Sequence, residues 1–474
     1  MRTAVRAGVL VVFALLGATP LAQAQGTLSA DVSAKVDAAV ADVMARTGVP
    51  SASVGVVQDG RIVFTKAYGK ARLDPAMPAT SRMHYAIGSI SKQFTVACIL
   101  LLQEEGKLSI DDPIAKYFPE LTRANEVTIR NILSHTSGYE DYAPQDYTIP
   151  EWTKPTTADR IIHEWATKPL DFEPGTQYQY SNTNFNIAGL IVQKVSGEPF
   201  WSFLSRRVLK PLGLADTIDL DTDHDKVEPI GYMRNALGPL RPAIIEAPGW
   251  YFADGEMAMP VGDLLTWDIS LIDQSLLKPA SYAAMETEFK LKNGEGAHYG
   301  LGVSLGTRDG HRVVSHGGEV GGFVAANTVF PDDRIAIAVL TNQEASPAAG
   351  SISRAISSLL LAPSAAATGP AAERARAEAQ AKAVLGDLQH GKIDRSLFTA
   401  DCNFYFDQVS LDDHAKSLGP LGAVQTVTQS GSSLRGGMTF RSFDVTFAGG
   451  TRVRVTTYTT KDGRLEQFLV GPVG

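Results

Sequence analysis

A chain of 474 residues is longer than one hydrophobic core usually serves, so two folded parts are expected. An apolar content of 44% and a charged content of 20% are ordinary for a globular protein and exclude a disordered or collagen-like chain. The net charge of −8, with no run of Lys or Arg, argues against a nucleic-acid surface.

Residues 1–24 read as a signal peptide. Arg2 and Arg6 give a positive start, Ala7 to Ala18 a short apolar core, and Ala22-Gln23-Ala24 a small-x-small cleavage site. The apolar run is too short to span a bilayer, and Pro20 closes it. A periplasmic or secreted protein is expected, with no stable membrane insertion after cleavage. Leu28 to Gly48 has helical spacing, with Ser29 or Asp31 as cap and Gly48-Val49-Pro50 as stop. Ser51–Val57 and Arg61–Tyr68, joined by Gln58-Asp59-Gly60, form a hairpin pattern. A long helix is expected from Ser89 to Glu105, preceded by Gly88 and ended by Gly106, and another from Asn184 to Val195. Strands return at Tyr299–Leu305, Arg312–Ser315, Gly322–Phe330 and Arg334–Leu340, and Ile352 to Leu361 forms a closing helix. Strands at both ends with helices between imply an α+β domain over residues 25–362. It has one antiparallel sheet whose first and last strands meet, flanked by helices, plus a helical lobe.

Ala-rich residues 363–382 read as a linker running into a helix, so that 25–362 is expected to fold and react alone. Residues 383–474 read as a small α+β domain: a helix, then strands at Asn403–Phe406, Met438–Phe447, Thr451–Thr459 and Arg464–Val470. His390 and His414 are expected at its surface. Two cysteines, Cys98 and Cys402, exclude a disulfide scaffold, and they are expected not to pair.

Three short segments carry chemistry. In Ser89-Ile90-Ser91-Lys92 the lysine lies one helical turn after the serine and can reach its hydroxyl. A partly buried ammonium there has a lowered pKa and can act as a base. Alone, the pattern also fits a helix-capping serine beside a solvated lysine, and Ser275-Leu276-Leu277-Lys278 repeats it without the surrounding features. In Tyr180-Ser181-Asn182 the tyrosine, held near phenolate by Lys92, can take the serine proton. Asn182 can hold Lys92 by its oxygen and a substrate amide by its nitrogen. Alone, a core tyrosine before a helix cap fits as well. In His316-Gly317-Gly318, glycines let a strand edge pass close to a ligand, and the N–H of Glu319 can join that of Ser89 around an oxyanion. Alone, this is also a glycine-rich hairpin with an incidental histidine.

Together, in this order, the three resemble the serine β-lactamase-related and penicillin-binding-protein family, which includes class C β-lactamases, DD-peptidases, D-aminopeptidases and esterases. Asp111-Asp112-Pro113-Ile114, Leu133-Ser134-His135-Thr136-Ser137-Gly138, Pro174-Gly175 and Asp263 at a helix start agree with it. The resemblance covers about Ser29 to Leu361. It implies an acyl-enzyme on Ser89, with Lys92 and Tyr180 relaying the proton, Asn182, His316, Gly318 and Glu319 binding substrate, His135 as a structural residue, and no metal or organic cofactor. Many β-lactamases and DD-peptidases carry Lys-Thr/Ser-Gly at the third motif to bind a carboxylate. His316-Gly317 departs from that, and His316 is expected to gain charge only near its reference pKa of about 6.5. Hydrolysis of an ester or small amide or peptide, as in the esterase and D-aminopeptidase or DD-peptidase branches, is therefore expected ahead of β-lactam turnover or slow penicillin binding by a cell-wall receptor. The tail resembles cystatin-like or NTF2-like domains only loosely.

Overall fold

The structure, a computed structural model, describes residues 27–308, 310–361, 371–435, 438–460 and 462–473. The signal peptide expected over 1–24 lies outside them. The main sheet has seven antiparallel strands in the order Met77–Pro78, Arg61–Arg72, Ser51–Gln58, Ile335–Thr341, Phe323–Phe330, His311–Val320 and Ser304–Arg308. The first long strand thus pairs with the last, Ala52 opposite Thr341, as the sequence implied. Ile335–Thr341 is buried on both faces, which explains its unbroken apolar run. Asp59 and Gly60 both have positive φ, the backbone of a two-residue hairpin turn.

One face of the sheet is covered by the first helix, Ala30–Thr47, and the closing helix, Ala348–Leu360, around Val36, Val40, Ile352 and Ile356. Ser29 caps the first helix, and Gly48 ends it in the left-handed region. The other face carries the larger core and the helical lobe, including Ser91–Glu104, Thr183–Ser196 and Val261–Asp273. The helix Ser91–Glu104 buries every residue from Ser91 to Leu102, the polar Ser91, Lys92, Gln93 and Thr95 of its first turns included.

Tyr299–Leu305 is not a strand throughout. Tyr299 to Ser304 is a tight reversal, and the strand is Ser304–Arg308. The third-motif strand runs through the glycines to Val320.

In the C-terminal part, the helix Ala371–Leu388 takes up the last twelve residues read as linker, because Ala381, Val384, Leu385 and Leu388 repeat at helical spacing and are buried. Asn403–Phe406 belongs to the helix Ala400–Tyr405 and its cap, not to a strand. Thr399 caps that helix by accepting from the Cys402 N–H at 3.3 Å. Cys402 and Phe406, four apart, are buried while Phe404 is 51% exposed, which is helical and not alternating burial. The four-stranded sheet runs Val424–Arg435, Met438–Phe447, Arg452–Thr459 and Leu465–Pro472. Its first strand was missed because Ser, Thr, Gln and Gly dominate it. His390 is exposed as expected, but His414 is fully buried, its Nδ1 bonded to the Ser410 carbonyl. Cys98 and Cys402 are free and lie in separate cores.

Candidate active site

Gly88 adopts a positive φ of 50° and opens a 3-10 turn, Gly88–Ile90, that leads into the helix Ser91–Glu104. Ser89 therefore sits on the turn and Lys92 in the first turn of the helix. Because that helix is central to the lobe, the Lys92 ammonium is fully buried. Its three donors are all used: on Ser89 Oγ at 2.9 Å, Asn182 Oδ1 at 2.7 Å and the Asp254 carbonyl at 2.9 Å. Burial is the main cause that pushes its pKa down to about 8, against the pull of Asp254 and Asp141.

Tyr180 lines the cavity beside Ser89, and Lys92 Nζ lies 5.1 Å from its ring centre. The phenolate expected from the sequence is not the resting form. Burial holds the Tyr180 pKa well above the usual value for a phenol, more than the Arg435 charge and Ser89 lower it. Lys92 is thus the group whose neutral, proton-accepting form is accessible near neutral pH. Asn182 holds Lys92 as expected. Its nitrogen, however, donates to Ala143 O at 3.1 Å and Asp141 Oδ2 at 3.4 Å, so it is not left free for a substrate amide. His135 is fully buried, accepts from the Ser181 N–H at 3.2 Å and stacks on Tyr180 with ring centres 4.2 Å apart. Burial lowers its pKa well below the usual value, so it buttresses the tyrosine as a neutral ring.

The third-motif strand closes the site. Val320 and Phe323 close a two-residue turn, and pairing continues back to Val314 opposite Val329. In an antiparallel ladder alternate residues turn their N–H and C=O away from the partner, so the Gly317 and Glu319 amides face the Ser89 turn. The neighbouring strand, Ser304–Arg308, pairs only as far as Ser315, which leaves that edge open. A Cβ on Gly318 would fall 1.8 Å from Ile87 O, so only glycine lets the strand pass this close. The same proximity sets Glu319 N beside Gly88.

His316 does not behave as the sequence suggested. Its Nδ1 donates to Gly317 O at 2.5 Å, and its Nε2 accepts from the Tyr299 hydroxyl at 2.8 Å. Burial, then the nearby Lys92 charge, lowers its pKa to about 4. The ring stays neutral throughout the range where it was expected to titrate.

The cavity above Ser89 measures about 330 Å³. Its lining includes three glutamates, Glu246, Glu319 and Glu344. Gly321 N donates to Glu246 at 3.1 Å, Gly322 N to Glu344 at 2.8 Å and Ala345 N to Glu319 at 2.5 Å. Burial raises all three carboxyl pKa values, that of Glu344 to about 8. Gln145 Oε1, also on the cavity wall, is buried and meets no donor among the described residues. Asp254, which accepts from Asn186 Nδ2 at 2.7 Å and Tyr142 OH at 2.9 Å, is raised to about 7 by burial. Asp141, Asp254, Tyr299, Glu246 and Glu344 carried no motif. Arg435, from the C-terminal sheet, also lines the cavity. Arg435 pairs with Met438 across the sheet, and nothing in the sequence tells where this end of the strand lands.

Comparison with known proteins gives a consistent picture. The family described as Beta-lactamase matches residues 36–360. The D-aminopeptidase of Gluconobacter oxydans (strain 621H) is 27% identical over 325 residues, 66% of this chain and 60% of its own, so the chain spans less than two thirds of that relative. A D-stereospecific amidohydrolase from Streptomyces sp. superposes with a TM-score of 0.60 at 27% identity, over 70% of this chain and 99% of that one. The octameric penicillin-binding protein homologue from Pyrococcus abyssi gives 0.61 at 22% identity, over 92% of this chain and 99% of that one. That last likeness is one of fold, and it extends into the C-terminal sheet.

Proposed function

The chain belongs to the beta-lactamase family of hydrolases, and from that premise we propose an exported serine hydrolase that forms an acyl-enzyme on Ser89 and cleaves an ester or a small amide or peptide bond. The observation that carries this reading is the fully buried Lys92, bonded at 2.9 Å to the Ser89 hydroxyl and shifted to about 8. In its neutral form Lys92 takes the serine proton as Ser89 Oγ attacks the carbonyl carbon. The developing oxyanion is met by the N–H groups of Ser89 and Glu319. The proton then passes, by Lys92 and Tyr180, to the leaving amine or alcohol. The same pair draws a proton from the water that releases the acyl group. Export rests on the sequence of residues 1–24.

The Gln145 acceptor, unpaired among the described residues and beside carboxyls that burial holds toward their neutral form, favours a substrate with hydrogen-bond donors, an amine or amide. The relatives named D-aminopeptidase and D-stereospecific amidohydrolase support the same choice. With His316 neutral, β-lactam turnover lacks the cation that a third-motif lysine supplies for the carboxylate.

The test is a fluorophosphonate labelling time course, beside a panel of p-nitrophenyl esters, D- and L-aminoacyl amides and nitrocefin. Ser89→Ala is expected to lose both labelling and turnover while keeping its fold. Labelling equal to the native protein rules out Ser89. A ratio of kcat/KM that favours nitrocefin over the neutral ester from pH 5.5 to 8.5 restores the β-lactamase reading.

A further inference from the structure

The sequence separated residues 25–362 from the rest, but the C-terminal sheet enters the site. Arg435 ends the strand Val424–Arg435 and forms an isolated parallel bridge with Tyr180 itself. Its guanidinium lies 5.1 Å from the Tyr180 ring centre, the same distance as Lys92 Nζ. Arg435 Nε donates to Asp141 Oδ2 at 3.0 Å, and the two remaining nitrogens reach Ala143 O at 2.8 Å, Tyr458 Oη at 3.1 Å and Asp146 Oδ1 at 3.3 Å. The Asp141 side chain is fully buried, and it accepts from the Asn182 N–H at 2.8 Å as well. Arg435 is thereby joined through Asp141 to Asn182, and through Asn182 to Lys92 and Ser89.

We propose that Arg435 is a positioning residue for the proton path, a second cation beside Tyr180, so that the C-terminal sheet is a working part of the active site. This rests on the Lys92–Tyr180 reading above.

The physical argument is one of charge. A buried carboxylate such as Asp141, left alone, would tie the proton to Lys92. The guanidinium of Arg435 compensates Asp141, opposes protonation of Lys92 and eases loss of the Tyr180 proton. Among the other groups around the pair, Asp254, raised to about 7 by burial, ionises below the Lys92 limb. Asp254 pulls the Lys92 pKa up, His135 and His316 stay neutral because burial lowers both, and Tyr178 and Tyr299 stay protonated because burial raises both. Around Arg435 itself stand Asp146, Tyr458 and Glu319, whose carboxyl is held well above its usual value by burial.

The experiment is kcat/KM for a neutral p-nitrophenyl ester from pH 6 to 10 on the full chain and its Arg435→Gln, Arg435→Lys and Asp146→Asn variants. Arg435→Gln should move the acid limb to higher pH by about one unit, a tenfold loss below the limb that is recovered above it. Arg435→Lys should restore most of the native profile. Asp146→Asn leaves more of the Arg435 charge uncompensated and should move the limb the other way, which decides the matter even if Arg435→Gln fails to fold. An unmoved limb in Asp146→Asn, or a loss in Arg435→Gln that is equal at every pH and not relieved by lysine, overturns the proposal. Lys92→Ala, run alongside, separates the two claims. If it keeps native turnover the proton path is wrong, and if it is inactive while the limb stays put only the role of Arg435 falls.

Discussion

Lys92 shows how a single position changes character with burial. On an open helix it would be a solvated charge. Enclosed, with its three donors filled by Ser89, Asn182 and the Asp254 carbonyl, it is held near pKa 8. On the proposed mechanism the neutral amine is the base, so kcat/KM is expected to rise with pH and level off above about 8. A flat profile, or a limb near 6.5, would count against Lys92. Lys92→Ala and Tyr180→Phe should each lower turnover by about a hundredfold or more, and the double variant by little more than either, because both act on one proton. Additive losses in single-turnover assays would place the two residues on separate paths. His316 teaches the reverse lesson. Its identity suggested a switch near neutral pH, but two hydrogen bonds and burial fix it as an uncharged prop between Gly317 and Tyr299.

At the scale of elements, the site depends on a strand edge running against a turn. Gly318→Ala would drive a Cβ against Ile87 O, a backbone atom that cannot move aside. That substitution should cost about 1–3 kcal/mol in urea unfolding and separate the Glu319 amide from Ser89, with a clear loss of kcat. At Gly317 the nearest atom to an added Cβ is 3.8 Å away, so Gly317→Ala should leave stability close to native. Equal damage from both would mean that close passage at Gly318 is not what shapes the edge. The strand Val424–Arg435 makes a complementary point. Few of its residues are apolar, so periodicity hid it, yet its last residue reaches the cavity.

For the whole molecule, the contacts between the two parts exceed what a linker-joined pair requires. Asp146 N donates to Gln467 Oε1 at 2.6 Å, Tyr147 OH to Glu466 O at 2.7 Å, and Arg241 pairs with Asp413. Leu469 packs among Trp152 and Trp250, and Ala236 enters the C-terminal core. One cooperative thermal transition is therefore expected in calorimetry, with calorimetric and van't Hoff enthalpies in agreement. Two well-separated transitions would show that residues 25–362 stand alone, as the linker composition had implied.

The sequence by itself determined the α+β sheet with its joined ends, because alternating and helical apolar patterns are local and survive without knowledge of partners. It also determined Ser89, Lys92, Tyr180 and the glycine strand, because their spacing within a turn or a motif is carried along the chain. Only the tertiary structure decided the charge states of Lys92, Tyr180 and His316, since these follow from burial and from neighbours distant in sequence. The tertiary structure alone also brought Asp141, Asp254 and Arg435 to the same few ångströms. Each reaches the site through a fold-level contact that no local pattern encodes, and Arg435 crosses from a second sheet to do so.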